Sequence, residues 1–304
     1  MKKIMLLAAG EKGKRVLEHL SRQYKEHIGL VISFHETGVQ KDWFEEIASF
    51  CKAEALPFLP WSSAKERLSA LIPEYGITGI LCVSWRYLIP TELNQQLQDN
   101  IVIFHDSLLP QYRGFAPVVT AMLCGEKTIG ASALFAVDEA DAGDIICQKS
   151  MELHDDSTIA EVISRMSTLY TELASFVLDH MLSGNLKGRP QADSLATYSI
   201  WRGDADYRID WAKPAEEIAL LVRAVGDPYL GAMTFAEGQP IRIKKASVAE
   251  NDVAFAIRDP GKIWQLKDGR PLVVCGTGML LIEEAQDEAG RPYRFGKLRL
   301  QLGL

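Results

Sequence analysis

The sequence predicts an α/β protein with a mostly parallel sheet, followed by a smaller β-rich domain. Three observations predict it. Compact apolar runs alternate with segments of helical periodicity through the first half of the chain. A polar stretch punctuated by Gly184, Gly188 and Pro190 then breaks the alternation. Beyond it come short strand-like runs separated by glycine turns. Alternating strands and helices place successive strands parallel, with right-handed crossovers. Short strands with glycine turns build small antiparallel barrels or open sheets instead.

Each element follows from its local pattern. Ile4–Ala8 is apolar at every position, as a strand buried on both faces requires. Gly10-Glu11-Lys12-Gly13 then opens a helix in which Val16, Leu17 and Leu20 recur at helical spacing. Gly29–Phe34 is a second strand, Trp43–Ala53 a helix, Phe58–Pro60 an extended piece and Ala64–Leu71 a helix. Strands follow at Gly79–Val83 and Ile101–His105, with a helical turn over Leu93–Gln98 between them. Pro117–Cys124 is helical, and Gly130–Ala136 and Asp144–Lys149 are paired strands around the loop that holds Asp138–Asp141. Thr158–Leu182 is a long amphipathic helix with Ile159, Val162, Ile163, Met166, Leu169 and Leu173 on one face. The expected division is a first domain over 1–183, a linker over 184–200 and a second domain over 201–304. That second domain holds a helix at Pro214–Val225 and strands at Ala232–Phe235, Ile241–Val248, Gly261–Leu266, Leu272–Val274 and Gly278–Glu283.

Bulk composition narrows the function classes. At 304 residues and 47% hydrophobic, the chain can bury a large core. A net charge of −7 disfavours broad nucleic-acid binding, which needs Lys and Arg to replace counterions. Cys51, Cys82, Cys124, Cys147 and Cys275 are scattered without a C-x-x-C pair, which reads as reduced thiols in a cytoplasmic protein. No apolar run approaches the roughly 20 residues that span a bilayer, so no membrane partner is expected. The apolar N-terminus is short and flows into a charged helix, so it reads as a strand rather than a signal peptide.

The chemistry concentrates in two places: Phe104-His105-Asp106-Ser107-Leu108-Leu109-Pro110-Gln111-Tyr112-Arg113-Gly114, and Asp141-Ala142-Gly143-Asp144. His105 ends a strand, and open parallel sheets bind ligands at the carboxyl ends of their strands. A histidine beside a carboxylate moves protons near neutral pH. The loop Gly10–Gly13 opens a helix, where backbone amides can cradle a phosphate; a tight turn explains the same glycines. It is not the dinucleotide fingerprint, and no acidic ribose partner follows the second strand, so a nicotinamide enzyme is not expected. Trp201–Arg208 mixes aromatic and charged residues, as either a ligand contact or a packed connector would.

His105-x-Ser-Leu-Leu-Pro-x-x-Arg113-Gly114, with Ala116-Pro117, Gly130 and Asp141-x-Gly143, resembles the formyltetrahydrofolate-dependent formyltransferases. The resemblance continues through Ile209-Asp210-Trp211, Pro214, Arg223-Ala224 and Pro228-Tyr229-Leu230-Gly231-Ala232, and so covers most of the chain. It implies a Rossmann-like first domain, an OB-like second domain, 10-formyltetrahydrofolate as co-substrate and no metal. His105 and Asp141 match the family's catalytic residues. The family's catalytic asparagine, which donates to the developing oxyanion, falls on Ile103. Losing one such donor costs on the order of 10²–10³ in rate. Asn100 faces away from His105 on a regular strand, and only a bulge would turn it inward. Either a protonated His105, held charged by Asp141, replaces the missing donor, or the protein is catalytically impaired and mainly binds.

The resemblance also assigns binding. Folate is held largely by main-chain groups of two segments, here Trp85, Arg86, Tyr87 and Leu88 on one side and Val137, Asp138 and Ala140 on the other. Gly10, Lys12 and Gly13 would meet the diphosphate of a nucleotide sugar, with Ser107 and Arg113 nearby. The tRNA-directed branch carries a long basic insertion after the second strand; here His35–Glu46 is short and more acidic than basic. The expected substrate is therefore a small molecule, a UDP- or dTDP-linked 4-amino-4,6-dideoxy sugar or a 3-amino analogue, with no nucleic-acid partner and a homodimer as a possible assembly. Methionyl-tRNA is the alternative amine carrier.

Overall fold

The computed structural model describes every residue except 91, 99 and 251. The first domain runs β1 (Lys3–Ala8), α1 (Gly10–Tyr24), β2 (Ile28–Ser33), α2 (Phe44–Ala53), β3 (Phe58–Pro60), α3 (Trp61–Ala64), α4 (Leu68–Tyr75), β4 (Ile77–Val83), α5 (Glu92–Leu97), β5 (Ile101–His105), β6 (Arg113–Gly114), α6 (Pro117–Leu123), β7 (Thr128–Phe135), β8 (Ile145–Glu152) and α7 (Ile159–Ser183). A connecting segment carries β9 (Tyr198–Ser199). The second domain then runs α8 (Ala215–Ala224), β10 (Ala232–Ala236), β11 (Gln239–Val248), β12 (Ile263–Lys267), β13 (Arg270–Val274) and β14 (Met279–Asp287).

The large sheet has the order β3-β2-β1-β4-β5-β7-β8; its first five strands are parallel, β7 runs antiparallel to β5, and β8 antiparallel to β7. Strand order reverses direction between β1 and β4, which opens a crevice at their carboxyl ends. Helices α1 and α7 cover one face through Val16, Leu17, Leu20, Val162, Met166 and Val177; α4 and α5 cover the other through Leu68, Leu71, Leu93 and Leu97. A reciprocal cap starts α7: the Glu161 amide donates to Thr158 Oγ1 at 3.3 Å and the Thr158 amide donates to Glu161 Oε2 at 2.8 Å. Such caps are worth about 1 kcal/mol. The helix expected over Ala64–Leu71 divides into α3, a 3₁₀ turn at Lys65–Arg67 and α4, and α4 continues past Leu71 with Pro73 inside it. Proline at that point reads in sequence as a stop, yet Gly76, at φ +65°, ends the helix.

The second domain is a five-stranded antiparallel sheet of order β10-β11-β14-β13-β12 covered by α8. Residues Gln301 and Leu302 bridge to Lys262 and Ala236, linking the two edges of that sheet. Val118 and Met122 of α6 share one apolar cluster with Ile218 and Val222 of α8, so the core is continuous between the domains. The connecting segment runs along the first domain: β9 pairs with β6, and Arg189 exchanges backbone hydrogen bonds with Ile145 at 2.8 and 2.9 Å. Among the described residues no helix is long and apolar enough to cross a membrane.

Candidate active site

β5 delivers His105 to the carboxyl edge of the sheet, where the ring is buried at 7% exposure. Its Nε2 lies 2.8 Å from the Tyr112 carbonyl. A carbonyl only accepts, so Nε2 carries the hydrogen and Nδ1 is the other face of the ring. That face lies 3.4 Å from Asp141 Oδ1. The loop between β7 and β8 brings Asp141 there at φ +56°, a left-handed conformation that few side chains adopt. Asp141 Oδ2 accepts from the Gly114 amide at 2.8 Å, which ties the carboxylate to β6. A Cβ on Gly143 would stand 1.9 Å from the Phe135 carbonyl, so only glycine lets the loop fold this closely.

Both ring nitrogens of His105 are thus engaged, and neither points a free N–H outward in this conformation. Ile103 lies half-buried against the apolar cluster that Trp85, Ile89 and Ala136 also join. Pairing of β5 with β4 and β7 runs through Ile103 and His105 without a register shift, so no bulge turns Asn100 towards the site.

Beside His105, Asp106 forms a second charged centre. Its carboxylate pairs with Lys12 and accepts from the Tyr170 hydroxyl at 2.6 Å. Burial pushes this carboxyl up, but the Lys12 ammonium and the hydrogen bonds from Lys12 and Tyr170 outweigh it and hold it below its ordinary value. Burial, with the charge of Asp106, raises the Tyr170 hydroxyl well above its own. Lys12, assigned in sequence to a diphosphate, here meets a carboxylate 94 positions away. Gly10 faces another, Glu36, whose Oε2 would lie 3.5 Å from a Cβ there. Burial raises the Glu36 carboxyl against the opposing charge of Arg86, which donates to it at 2.8 Å. Gly13 packs so near β1 that a Cβ would fall 2.9 Å from the Ala8 carbonyl carbon, which explains the second glycine by helix–strand packing.

Two more residues assigned to substrate are turned inward. Ser107 Oγ donates to the Gln111 carbonyl at 2.6 Å and braces the loop after β5. Arg113, at 1% exposure, donates to Gln191 Oε1 and to Asp193 Oδ1. The folate segments lie at the rim of the sheet. Trp85 and Tyr87 join Phe34 and Trp61 in an aromatic cluster with ring centroids 5.0–5.8 Å apart. It borders a pocket of about 530 Å³ lined by Phe34, Phe44, Trp61 and Tyr87. Leu88, Val137, Asp138 and Ala140 are exposed, as main-chain recognition of a ligand allows. Ser84 Oγ and Trp85 Nε1 are buried without a hydrogen-bond partner, the kind of orphaned donor a polar heterocycle would satisfy. Among the described residues no three His, Cys, Asp or Glu side chains are grouped to hold a metal ion. Sequence reasoning missed Tyr112, whose main-chain carbonyl meets His105, and Gln191, whose side-chain amide donates to the main-chain carbonyls of Asp141 and Gly143.

A methionyl-tRNA formyltransferase of Chloroflexus aurantiacus is 34% identical over 228 residues, 75% of this chain and 71% of the relative. HypX from Aquifex aeolicus, solved with tetrahydrofolic acid, superposes with a TM-score of 0.69 at 17% identity over 96% of this chain; the chain spans 45% of that protein. An N-formyltransferase from Helicobacter canadensis, solved with folinic acid and dTDP-3-aminofucose, superposes with a TM-score of 0.65 at 15% identity, over 96% of this chain and 100% of that one. Residues 2–178 match the formyl transferase family and residues 203–298 its C-terminal domain, and the chain belongs to that family.

Proposed function

We propose that the protein transfers the formyl group of 10-formyltetrahydrofolate to a primary amine at the site built on His105 and Asp141. One observation carries this reading: the Nε2 hydrogen of His105 is committed to Tyr112, which leaves Nδ1 and the Asp141 carboxylate together as a place to hold a proton. An amine attacks only as the neutral base, so a proton has to leave it before or during attack, and general-base assistance contributes about 10²–10⁴ in rate. The co-substrate supplies an activated formyl carbon. The segments of Trp85–Leu88 and Val137–Asp141 would hold its pterin, with Ser84 Oγ and Trp85 Nε1 as donors. Ile103 offers nothing to the formyl oxygen as charge builds on it. Rate therefore rests on placing amine and formyl carbon together and on taking the proton.

The amine carrier we favour is methionyl-tRNA, because the sequence relatives at 34% identity over three quarters of the chain are named for it. A second reading, a nucleotide-linked amino sugar, is favoured by the net charge of −7 and by the acidic run of Glu36, Asp42, Glu45 and Glu46 against the single Lys41. In that reading a diphosphate would have to compete with Glu36 and Asp106 for Arg86 and Lys12. The cysteines are free and three of the five are buried, which suits a reducing compartment, and we place the reaction in the cytoplasm.

The test supplies purified protein and 10-formyltetrahydrofolate with methionyl-tRNA and, in parallel, with UDP- and dTDP-linked 4-amino sugars. Formylmethionyl-tRNA formed in step with tetrahydrofolate is the expected result. A formylated sugar alone selects the second reading. Folate binding without a formylated product from any amine overturns both.

A further inference from the structure

We propose that Gln191, in the segment joining the two domains, is a positioning residue that sets Asp141 against His105; this rests on the formyl-transfer reading of that pair. Gln191 Nε2 donates to the carbonyls of Asp141 and Gly143, each at 2.7 Å. Its Oε1 accepts from Arg113 Nε at 3.1 Å and from the Arg113 terminal nitrogen at 2.9 Å. A guanidinium only donates, so Arg113 dictates which way the amide points: oxygen towards Arg113, both hydrogens towards the loop. Arg113 is itself almost fully buried, with Asp193 as its charged partner at 2.7 Å.

The loop needs such a clamp. Asp141 sits at φ +56°, and a non-glycine residue there costs about 1 kcal/mol or more, persisting only where neighbours over-determine it. One side of the clamp is the Gly114 amide on the carboxylate; the other is Gln191 on the main chain. Both lead to one place, because Gly114 follows Arg113 in β6, and β6 pairs with β9 of the same connecting segment. Gly188 packs that segment onto the loop: a Cβ there would lie 2.6 Å from Asp144 Cβ. Without the two donors from Gln191 the backbone relaxes, and the carboxylate leaves Nδ1 of His105.

The discriminating variant is Gln191→Glu. It keeps an acceptor for Arg113, so the connecting segment stays attached, but puts oxygen against the carbonyls of Asp141 and Gly143. The expected result is a folded protein with little change in melting temperature and a kcat lower by about 10², the scale of a misplacement near 1 Å. In the Asp141→Asn background, Gln191→Glu should lower kcat no further, because both changes remove one function. A wild-type kcat in Gln191→Glu overturns the proposal, as does a loss of equal factor in both backgrounds. A second readout is independent of turnover: the ¹⁵N resonances of the His105 ring should move in Gln191→Glu towards their positions in Asp141→Asn. Unmoved resonances overturn the positioning role. A wild-type protein that formylates no amine overturns the functional reading alone.

Discussion

The carbonyl of Tyr112 receives the Nε2 hydrogen of His105 at 2.8 Å, and this one bond orients the site. It fixes the ring so that Nδ1 looks at Asp141, and it does so from a residue at φ +57° whose own amide is held by Thr197 Oγ1 at 2.9 Å. The same connecting segment therefore steadies both partners of the pair, through Thr197 on the histidine side and Gln191 on the aspartate side.

In the proposed reaction, Ile103 takes the position of an oxyanion donor. Ile103→Asn should raise kcat, by up to about 10² if the new amide reaches the formyl oxygen. Placing an amide in a half-buried apolar site should also cost about 1–3 kcal/mol of stability. Steady-state kinetics beside urea denaturation checks both. A kcat that falls while the folate KM stays constant would show that the oxyanion is held elsewhere.

Asp106 holds Lys12 and Tyr170, so Asp106→Asn should destabilise the fold by about 1–3 kcal/mol at pH 7. The folded carboxyl titrates below its ordinary 3.8, so its contribution is present above that pH and is lost as pH falls through the folded value. The stability gap between wild type and variant should stay level from neutral pH down to 3.8 and close below it. Urea titrations at stepped pH test this, and a gap that closes on the alkaline side would contradict the sign.

Burial drives the thiols of Cys51, Cys147 and Cys275 up to about 12, and that of Cys82 still higher. The thiolate is the reactive form. Iodoacetamide at pH 8 should therefore label the exposed Cys124 first and leave the other four until the protein unfolds, as peptide mass spectrometry would show.

Gly143→Ala should displace the Asp141 loop, since the new methyl would sit 1.9 Å from the Phe135 carbonyl. A shift of the loop by about 1 Å lowers kcat by about 10². Because Val137 and Asp138 share the loop, the folate KM should rise as well. Kinetics with varied 10-formyltetrahydrofolate measures the split.

How much of this was legible depended on the range of each interaction. β1, β4 and β5 announce themselves because strands buried on both faces are continuously apolar. α7 is visible from its apolar face. The pairing of His105 with Asp141 was legible because their side chains carry a recurring pattern. Lys12 was not: a glycine loop before a helix looks the same whether it faces a phosphate or, as here, a protein carboxylate far along the chain. Polar composition marked residues 184–200 as a linker, and no local pattern could show that Gln191 reaches the carbonyl of Asp141 50 positions earlier. Charge alone pointed away from tRNA, whereas a methionyl-tRNA formyltransferase is 34% identical over 75% of the chain.

The most direct test of the central claim is single-turnover formyl transfer from 10-formyltetrahydrofolate to methionyl-tRNA, with the amino sugars run beside it, by wild type and Asp141→Asn. Asparagine can still accept from the Gly114 amide but removes the charge that faces His105 Nδ1. The account predicts a chemical step slower by at least about 10² with folate binding unchanged. Equal single-turnover rates in the two proteins would contradict it.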